Sequence, residues 1–388
     1  MGLFRRERRS AAGSDAALSA FLAAQRSGTT ASLGVSDPDQ AMRLAAVWSC
    51  FRILAGIGAS LPLDQFRDGV PMRRARLWDE PFPGQTLPDW SRRLWMSVLT
   101  DGNAYGIVSR DTDAQMVPRS VELIDPRLVS WRADGDRWVT SVSDKEVERW
   151  PNGPLWHLPV FTTPGIPWGL SPLTYAATTI GAGLAASSFA GGFYQGGGHP
   201  SAILYSDDPN LDAEQAQAVK SAFSRATQGN EPAVLGSGFR FEAVQISPAD
   251  AAFVESASLN ARQIASFLGV PPEWIGEGVT GSTVTYANRE QRWSDFLAVD
   301  FMPYLIPIEK GLSRLLPRPQ GVKANLDGVL RSDLATRYQS YKTAAEIFDL
   351  TGVELLTPAE MRDLEDREPI PGAEFTRRTT PNTTGVPL

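Results

Sequence analysis

The chain has 388 residues, 42% apolar and 21% charged, ordinary values for a globular protein with room for two or three domains. Its formal net charge is −7 and its sequence pI is about 5.1, which argues against a tight nucleic-acid binder, because such proteins carry a basic surface. The single cysteine, Cys50, excludes an internal disulfide and is predicted to be buried in a helix.

The first 150 residues combine helices with a β region. Residues 1–40, rich in Ala, Ser, Gly and Arg, are predicted to be flexible. A helix is predicted from about residue 39 to Pro62, and a second over 90–100. Between 102 and 142 the period changes to two, which indicates an antiparallel meander, and 155–161 adds a strand. The residues that show the helical period of the first helix are Met42, Ala45, Ala46, Ser49, Ile53 and Ile57.

An uncharged region follows, because no Asp, Glu, Lys or Arg occurs between Arg149 and Asp207. Within it, residues 171–195 predict one helix about 37 Å long. The segment is rich in Gly, Ser, Thr and Ala but poor in Leu, Ile and Val, so a membrane span would gain little from insertion. The composition favours close packing of this helix against other helices.

The second half of the chain alternates an α/β insert with helices. A strand at 201–206, a helix at 210–227 with Asp212 as candidate N-cap, and a hairpin at 232–246 form the insert. A helix follows to about residue 268, and another begins near Thr285, with kinks expected at Pro303 and Pro307. After 317–319 we expect a polar linker, a helix over 332–350, a capping box at Thr357 and Glu360, and a disordered tail from about 370.

The stretch GEGVTG at 276–281 is a literal G-x-G-x-x-G, the pattern of many dinucleotide sites. Such a site needs a strand before the glycines and a helix opening on them, whereas here a helix ending in GVPPEWI precedes. No lysine follows to make a phosphate-binding Walker loop. No cofactor is therefore predicted at these glycines.

Other catalytic patterns are also missing from the sequence. Its two histidines, His157 and His199, have no metal-ligand spacing and are interpreted as structural. Asp207, Asp208 and Asp212 cluster at a turn and helix start, where capping explains them. We therefore predict no catalytic residue, no metal ion and no enzyme activity.

Six stretches in a fixed order resemble the portal proteins of tailed bacteriophages, the large family of long-tailed phages and related gene-transfer particles. They cover most of the chain apart from its two ends. GLSPL, GVPP and TPAE…PIPG are the most characteristic parts. The stretches are AVWSCFRILAGIGASLPL (46–63), GNAYGIVSRD (102–111), ELIDPRLVSW (122–131), WGLSPLTYAATTIG (168–181), IASFLGVPPEWIG (264–276) with TYANREQ (285–291), and LTPAEMRDLEDREPIPG (356–372).

The resemblance implies an α+β, mainly helical fold. Its parts would be a wing of helices and an antiparallel meander, a two-helix stem, a small α/β clip and a helical crown. The implied boundaries are a flexible segment at 1–40, the wing at 41–170, stem helices at 171–199 and 248–270, the clip at 200–247, a tunnel-loop region at 271–287, a kinked wing helix at 288–325, the crown at 326–370 and a tail at 371–388.

The resemblance also implies a function and partners. Portal proteins form a homododecameric ring at one capsid vertex, through which double-stranded DNA is packaged and ejected without sequence specificity. The implied partners are the terminase large subunit, the major capsid protein and a head–tail adaptor protein, with no membrane. The protein would be assembled in the host cytoplasm and reside in the virion.

Three groups of residues are candidates for roles in such a ring. A DNA tunnel loop would comprise Gly278, Val279, Thr280, Gly281, Ser282, Thr283 and Val284, although no basic side chain lies in 277–284 to contact phosphate. Arg262 and Arg289 would face the tunnel or, equally, form surface salt bridges. Stem packing would use Gly181, Gly183, Ala186 and Gly191.

Two other function classes remain open from the sequence. One is another ring-forming structural protein of the virion or a membrane channel, for which the uncharged helix is the argument. The other is a nucleotide-binding enzyme using the glycine loop, which the surrounding sequence disfavours.

Overall fold

The computed structural model describes residues 37–195, 202–206, 212–228, 239–243, 249–278, 286–326, 334–352, 354–365 and 367. The chain divides into two compact units, residues 1–324 and residues 325–388. Among the described residues, the sheets and the large core belong to the first unit, and the second unit is helical.

The first unit begins with three helices, α1 (Pro38–Ala41), α2 (Ala45–Ser60) and α3 (Leu87–Asp101). Asp37 caps α1 and Thr86 caps α3, each accepting a hydrogen bond from a backbone N–H of the first turn. Helices α2 and α3 lie against each other at Gly58, where a Cβ atom would overlap the Trp95 ring. A glycine at this position lets a tryptophan ring of the neighbouring helix approach the helix backbone closely.

The helix predicted from about residue 39 to Pro62 is divided into α1 and α2, and the periodic residues that predicted it do not form the buried face of α2. That face consists of Val47, Cys50, Phe51, Leu54, Ala55, Gly58 and Ala59. The periodic residues, Met42, Ala45, Ala46, Ser49, Ile53 and Ile57, are half-buried or exposed.

Two small sheets replace the single meander predicted for 102–142. The strands β1 (Leu63–Arg67) and β2 (Val70–Met72) form a hairpin before α3. After α3 come β3 (Asn103–Val108), β4 (Val121–Ile124), β5 (Val129–Asp134), β6 (Arg137–Val142), β7 (Lys145–Glu146) and β8 (Leu155–Pro159).

The positions of β3, β4, β5, β6 and β8 were predicted correctly, whereas β1, β2 and β7 were not predicted and the grouping of the strands differs from the prediction. The antiparallel orders are β4-β3-β8 and β5-β6-β7. The strand β8 returns to pair with β3, so that Tyr105 lies opposite His157. This long-range pairing separates the strands into two sheets.

Two long helices bracket a small α/β element. They are α4 (Pro172–Gln195) and α6 (Ala249–Leu268), and between them lie β9 (Ala202–Ser206), α5 (Ala213–Gln228) and β10 (Phe239–Ala243). The long helix predicted for 171–195 is confirmed. The strand β10 pairs antiparallel with β9, and the rest of the hairpin predicted for 232–246 lies outside the described residues.

The last part of the first unit is a helical segment interrupted by a wider turn. A 3-10 turn (Pro272–Ile275) leads to α7 (Tyr286–Asp295), a π-helical turn (Phe296–Phe301) and α8 (Met302–Ser313). Pro303 stands at the start of α8 and Pro307 inside it, so the main irregularity lies before the predicted kink residues. The predicted polar linker instead contains the strand β11 (Gln320–Ala324), which pairs with β1.

An aromatic core connects these elements. Trp95 of α3 stacks on Phe301 of the π-helical turn, with ring centroids 5.0 Å apart. The largest fully buried side chains are Trp78, Trp90, Trp95, Trp156, Phe51, Phe296 and Phe301. Trp78 lies in a 3-10 turn (Arg76–Trp78), and the others lie on α2, α3, β8 and the π-helical turn, so this core is shared by the helices and the β4-β3-β8 sheet.

The second unit contains α9 (Leu334–Thr351) and α10 (Pro358–Leu364). The predicted capping box is present, because Glu360 N donates to Thr357 Oγ1 and Thr357 N donates to the Glu360 carboxylate. The Arg337 guanidinium donates two 2.8 Å hydrogen bonds to Glu365, which also accepts a hydrogen bond from Tyr341. This bidentate pair joins α9 to the end of α10.

Candidate functional site

The segments GNAYG and WGLSPL, which the sequence singles out, contact each other at the start of α4. Gly169 N donates to Asn103 Oδ1 at 2.7 Å, and Asn103 Nδ2 donates to Gly169 O at 3.1 Å. Ser171 Oγ donates to Thr100 O and accepts from Thr174 N, so it also caps α4. The beginning of the long helix is therefore fixed to the end of α3.

Glycine at position 102 is required by this contact. Gly102 ends α3 with φ of 78°, in the left-handed region, and a Cβ there would overlap the Leu170 carbonyl. A Cβ on Gly169 would overlap the carbonyl oxygens of Gly102 and Val160. The two backbones approach too closely for any side chain.

His157 is part of the same cluster. Its Nε2 lies 3.0 Å from Asn103 Oδ1, and its ring stacks on Tyr105 with centroids 4.6 Å apart. Burial, with smaller contributions from Arg149 and Arg314, lowers the pKa of His157 to about 3. The imidazole is therefore neutral near pH 7, and its Nε2–H donates to the Asn103 oxygen.

Helices α4 and α6 pack through a small residue and an amide. Asn260 Nδ2 donates to Thr179 O at 2.8 Å, and a Cβ on Gly183 would overlap Asn260 Oδ1 and approach Leu44 Cδ2 to 2.8 Å. Gly183 thus makes room for a polar bridge between the two helices within one chain.

The other predicted packing residues of α4 have different environments. Gly181 is buried, Ala186 is half-buried, and Gly191 is exposed with open space where a Cβ would lie. The exposed side chains of α4 include no charge. Those described are Tyr175, Thr178, Ala182, Ala185, Ser187 and Ser188.

The glycine loop has the wrong surroundings for a dinucleotide site. The element before Gly276 is the 3-10 turn that follows α6, and Gly276 ends it with φ of 92°. Gly278 is exposed with no atom within 4 Å of an added Cβ. Residues 279–284 of the predicted tunnel loop, Val279 to Val284, lie outside the described residues.

Of the two predicted basic residues, Arg262 is described with its side chain and Arg289 by its backbone alone. Arg262 is exposed on α6, and its Nε donates a 3.4 Å hydrogen bond to Ser258 O of the same helix. Arg289 belongs to α7, but its side chain lies outside the description. The described contacts of these two residues do not point to a ligand.

The described residues include no group of three or more His, Cys, Asp or Glu side chains that could hold a metal ion. Cys50 is fully buried, which raises the pKa of its thiol to about 12 and leaves it protonated at neutral pH. His199, Asp207 and Asp208 lie outside the described residues, and Asp212 is exposed. Of the helices searched, none combines the length and the apolar character of a membrane span; the search covered the described residues.

Asn103 and Asn260 are the residues that sequence reasoning missed. The Asn103 side chain bonds the backbone of Gly169, 66 residues away, and the Asn260 side chain bonds the backbone of Thr179, 81 residues away. An asparagine directly after the glycine that ends α3 is a signal that could have drawn attention to Asn103. Asn260 lies in an amphipathic helix and gives no such signal.

Solved structures show which fold this is. A phage portal protein of the HK97 family from Corynebacterium diphtheriae superposes with a TM-score of 0.60 and 17% identity, over 77% of this chain and 98% of that one. A chain from the neck of a native gene transfer agent particle, computed with C12 symmetry, gives a TM-score of 0.52 and 21% identity, over 90% of this chain and 100% of that one. The fold is that of phage portal proteins, and the predicted α+β class is confirmed.

Sequence comparison then gives the family. Residues 45–366 match the family model described as phage portal protein, so the chain belongs to the phage portal protein family, whose members are structural components of the virion. It is 26% identical over 367 residues to the portal protein of Enterobacteria phage HK97, covering 88% of this chain and 83% of that protein. It is 27% identical over 363 residues to a probable portal protein of Streptomyces phage phiC31, covering 86% and 77%.

Proposed function

We propose that copies of this chain form a dodecameric ring at one capsid vertex, through which double-stranded DNA is packaged and later ejected. The match of residues 45–366 to the portal family carries this proposal. A similar chain occurs in a particle neck computed with C12 symmetry, which supports a twelve-fold ring for this chain as well. The terminase large subunit, the major capsid protein and a head–tail adaptor protein would dock on the ring.

The described elements suit the parts of such a ring. In this proposal α4 and α6 form the stem, β9, α5 and β10 form the clip, and α9 with α10 forms the crown. The wing comprises α1 to α3 with the sheets, together with α7 and α8. The predicted tunnel loop, with Gly278 at its described end, would face the DNA.

The surface of α4 supports association with other copies. Exposed helix faces of monomeric proteins usually carry charged residues, whereas the exposed side chains of α4 are Tyr, Thr, Ala and Ser. A neighbouring copy would cover this face in a ring. The uncharged segment is then explained by protein–protein packing, without a membrane.

The charge of the chain suits passage of DNA without retention. In a closed ring each surface residue recurs once in every copy. Copies with a net charge of −7 on balance repel phosphate, so a duplex can slide through. The ring is proposed to guide DNA without any catalytic activity of its own. The energy for packaging would come from the docked terminase large subunit.

Electron microscopy of the purified full chain tests this proposal. We expect rings of about twelve copies with a central channel. A compact monomer that binds NAD would instead support the nucleotide-enzyme alternative. A protein that needs detergent to stay in solution would support the membrane-channel alternative.

A further inference from the structure

A cleft of about 340 Å³ is lined by the end of α2, the start of α3 and part of the segment between β2 and α3. This volume lies at the lower end of the range of ligand pockets, about 300–1,000 Å³, and is roughly ten times the share of one water molecule in the liquid. The ion pair of Arg74 and Asp79 forms part of the wall, and most of the other wall residues are apolar. The apolar ones are Ala59, Leu61, Pro62, Trp78, Leu87 and Pro88.

The indole N–H of Trp78, which lines this cleft, has no hydrogen-bond acceptor among the described residues, although the side chain is only 1% exposed. Other buried tryptophans of the first unit do have one. Trp90 Nε1 donates to Val121 O at 2.8 Å, and Trp156 Nε1 donates to Gly311 O at 2.9 Å. Because the large majority of buried polar groups in proteins are paired, the Trp78 N–H indicates an acceptor that the described chain does not supply.

The charges in the wall of the cleft balance one another. Arg74 Nη2 lies 2.7 Å from Asp79 Oδ1, so each charged side chain already has a partner of opposite sign. The start of α3 carries a partial positive charge and the end of α2 a partial negative charge. An isolated ion of either sign would be attracted by one helix end and repelled by the other. The cleft therefore favours a neutral ligand.

The two helix ends offer hydrogen-bond donors as well as acceptors. The first N–H groups and the last carbonyl groups of a helix have no partner within that helix. In α2, Ser60 Oγ donates to Ile57 O, and in α3, Thr86 Oγ1 accepts from Asp89 N, so each of these side chains satisfies one such group. A ligand that both donates and accepts hydrogen bonds, as a peptide backbone does, suits the remaining groups.

We propose that the cleft binds an extended, uncharged, proline-containing peptide segment of another protein, one of whose backbone carbonyls accepts a hydrogen bond from Trp78 Nε1. The apolar wall would hold the proline side chain. Proline-containing segments suit such a site, because they are already extended before they bind and dock in grooves lined by aromatic residues. The inference goes beyond the proposed function and does not depend on ring formation.

Selection from a library of random heptapeptides on the purified full chain tests the cleft. The enriched peptides are synthesised, and their dissociation constants are measured by fluorescence anisotropy. We expect uncharged, proline-containing peptides to be enriched on the wild type. Trp78→Phe should bind them about three- to tenfold more weakly, because this variant lacks the N–H donor but keeps an aromatic ring. Ser60→Trp, which places a large side chain in the cleft, should abolish binding.

The matched controls are Ser60→Ala and Trp156→Phe, and both should bind the peptides as the wild type does. Because Trp156 already donates to Gly311 O, Trp156→Phe should unfold at a lower urea concentration than Trp78→Phe. Equal affinity of the peptides for the wild type and Trp78→Phe would overturn the proposal, and so would enrichment of charged peptides. Peptides that bind single chains but not rings would show that another copy covers the cleft, which would overturn the proposed partner. Electron microscopy of the same samples records ring formation separately.

Discussion

Asn103 satisfies several buried groups at once. Its side-chain oxygen accepts from Gly169 N and lies 3.0 Å from His157 Nε2, while its side-chain nitrogen donates to Gly169 O and Asp101 O. The residue is 3% exposed. Because water cannot easily replace it, these partners depend on the asparagine for their hydrogen bonds.

Replacing Asn103 with alanine should destabilise the first unit by about 2–4 kcal/mol, because it leaves buried donors and an acceptor unpaired. Urea unfolding followed by tryptophan fluorescence measures this, since all 11 tryptophans lie in the first unit. The exposed Asn152→Ala is the control and should change stability by less than about 0.5 kcal/mol. Equal effects in the two variants would contradict the role of Asn103.

His157 gives the first unit a specific dependence on pH. The folded protein keeps the imidazole neutral down to a pH of about 3, its lowered pKa, whereas the unfolded chain takes up the proton near its ordinary pKa of 6.5. Between these values the unfolded state binds more protons, so stability is complete above about pH 6.5 and falls as the pH falls.

Replacing His157 with glutamine should remove this contribution. Between pH 6 and pH 4 the wild type should lose up to about 1.4 kcal/mol more per pH unit than the variant. Urea midpoints at four pH values for both proteins measure the difference, and His199, the other histidine, is common to both. Parallel curves would show that His157 is not buried in its neutral form.

At the scale of helices, α4 offers two glycines in contrasting positions. Gly183 packs on Asn260, and Gly191 has open space around its Cβ position. Gly183→Ala should lower stability by about 1–3 kcal/mol, because it forces α4 and α6 apart. Gly191→Ala should be neutral or stabilise by up to about 1 kcal/mol, because alanine favours helix. Thermal unfolding of the two variants compares them, and a similar loss in both would contradict close packing at Gly183.

Helices and strands were predicted well where the pattern is local. The α4 segment, the capping box at Thr357 and the strands of the β region all follow from periodicity and turn residues. The grouping of strands did not follow, because β8 pairs with β3 and β11 pairs with β1, and in both pairs the strands are far apart in the sequence. Kinks were expected at Pro303 and Pro307, whereas the π-helical turn lies before them, at Phe296–Phe301, and was not predicted.

The candidate site was predictable only in part. The sequence predicts correctly that a helix, and not a strand, precedes the glycines at Gly276, because that segment has a helical pattern and ends in prolines. It did not reveal the Asn103 cluster, since that cluster joins residues that are distant along the chain. The roles of Val279 to Val284 as a tunnel loop stay a prediction.

At the scale of the whole molecule, assembly and DNA passage are expected to depend on different parts of the chain. Contacts between copies would use broad surfaces such as the uncharged face of α4. Passage of DNA would depend on the loop that begins near Gly278, which belongs to no described helix or strand. Variants of the loop should therefore separate the two properties.

Replacing Gly278 and Gly281 with proline should impair packaging while rings still form. Proline fixes φ near −65° and removes a backbone donor, so the loop loses freedom to adapt to a moving duplex. Electron microscopy measures ring formation, and protection of DNA from nuclease in a packaging reaction measures passage. The double alanine variant is the control, because it keeps the backbone donors and more of the conformational freedom. If the proline variant lost its rings as well as its packaging, the glycines would belong to the assembly surface and the tunnel-loop assignment would be wrong.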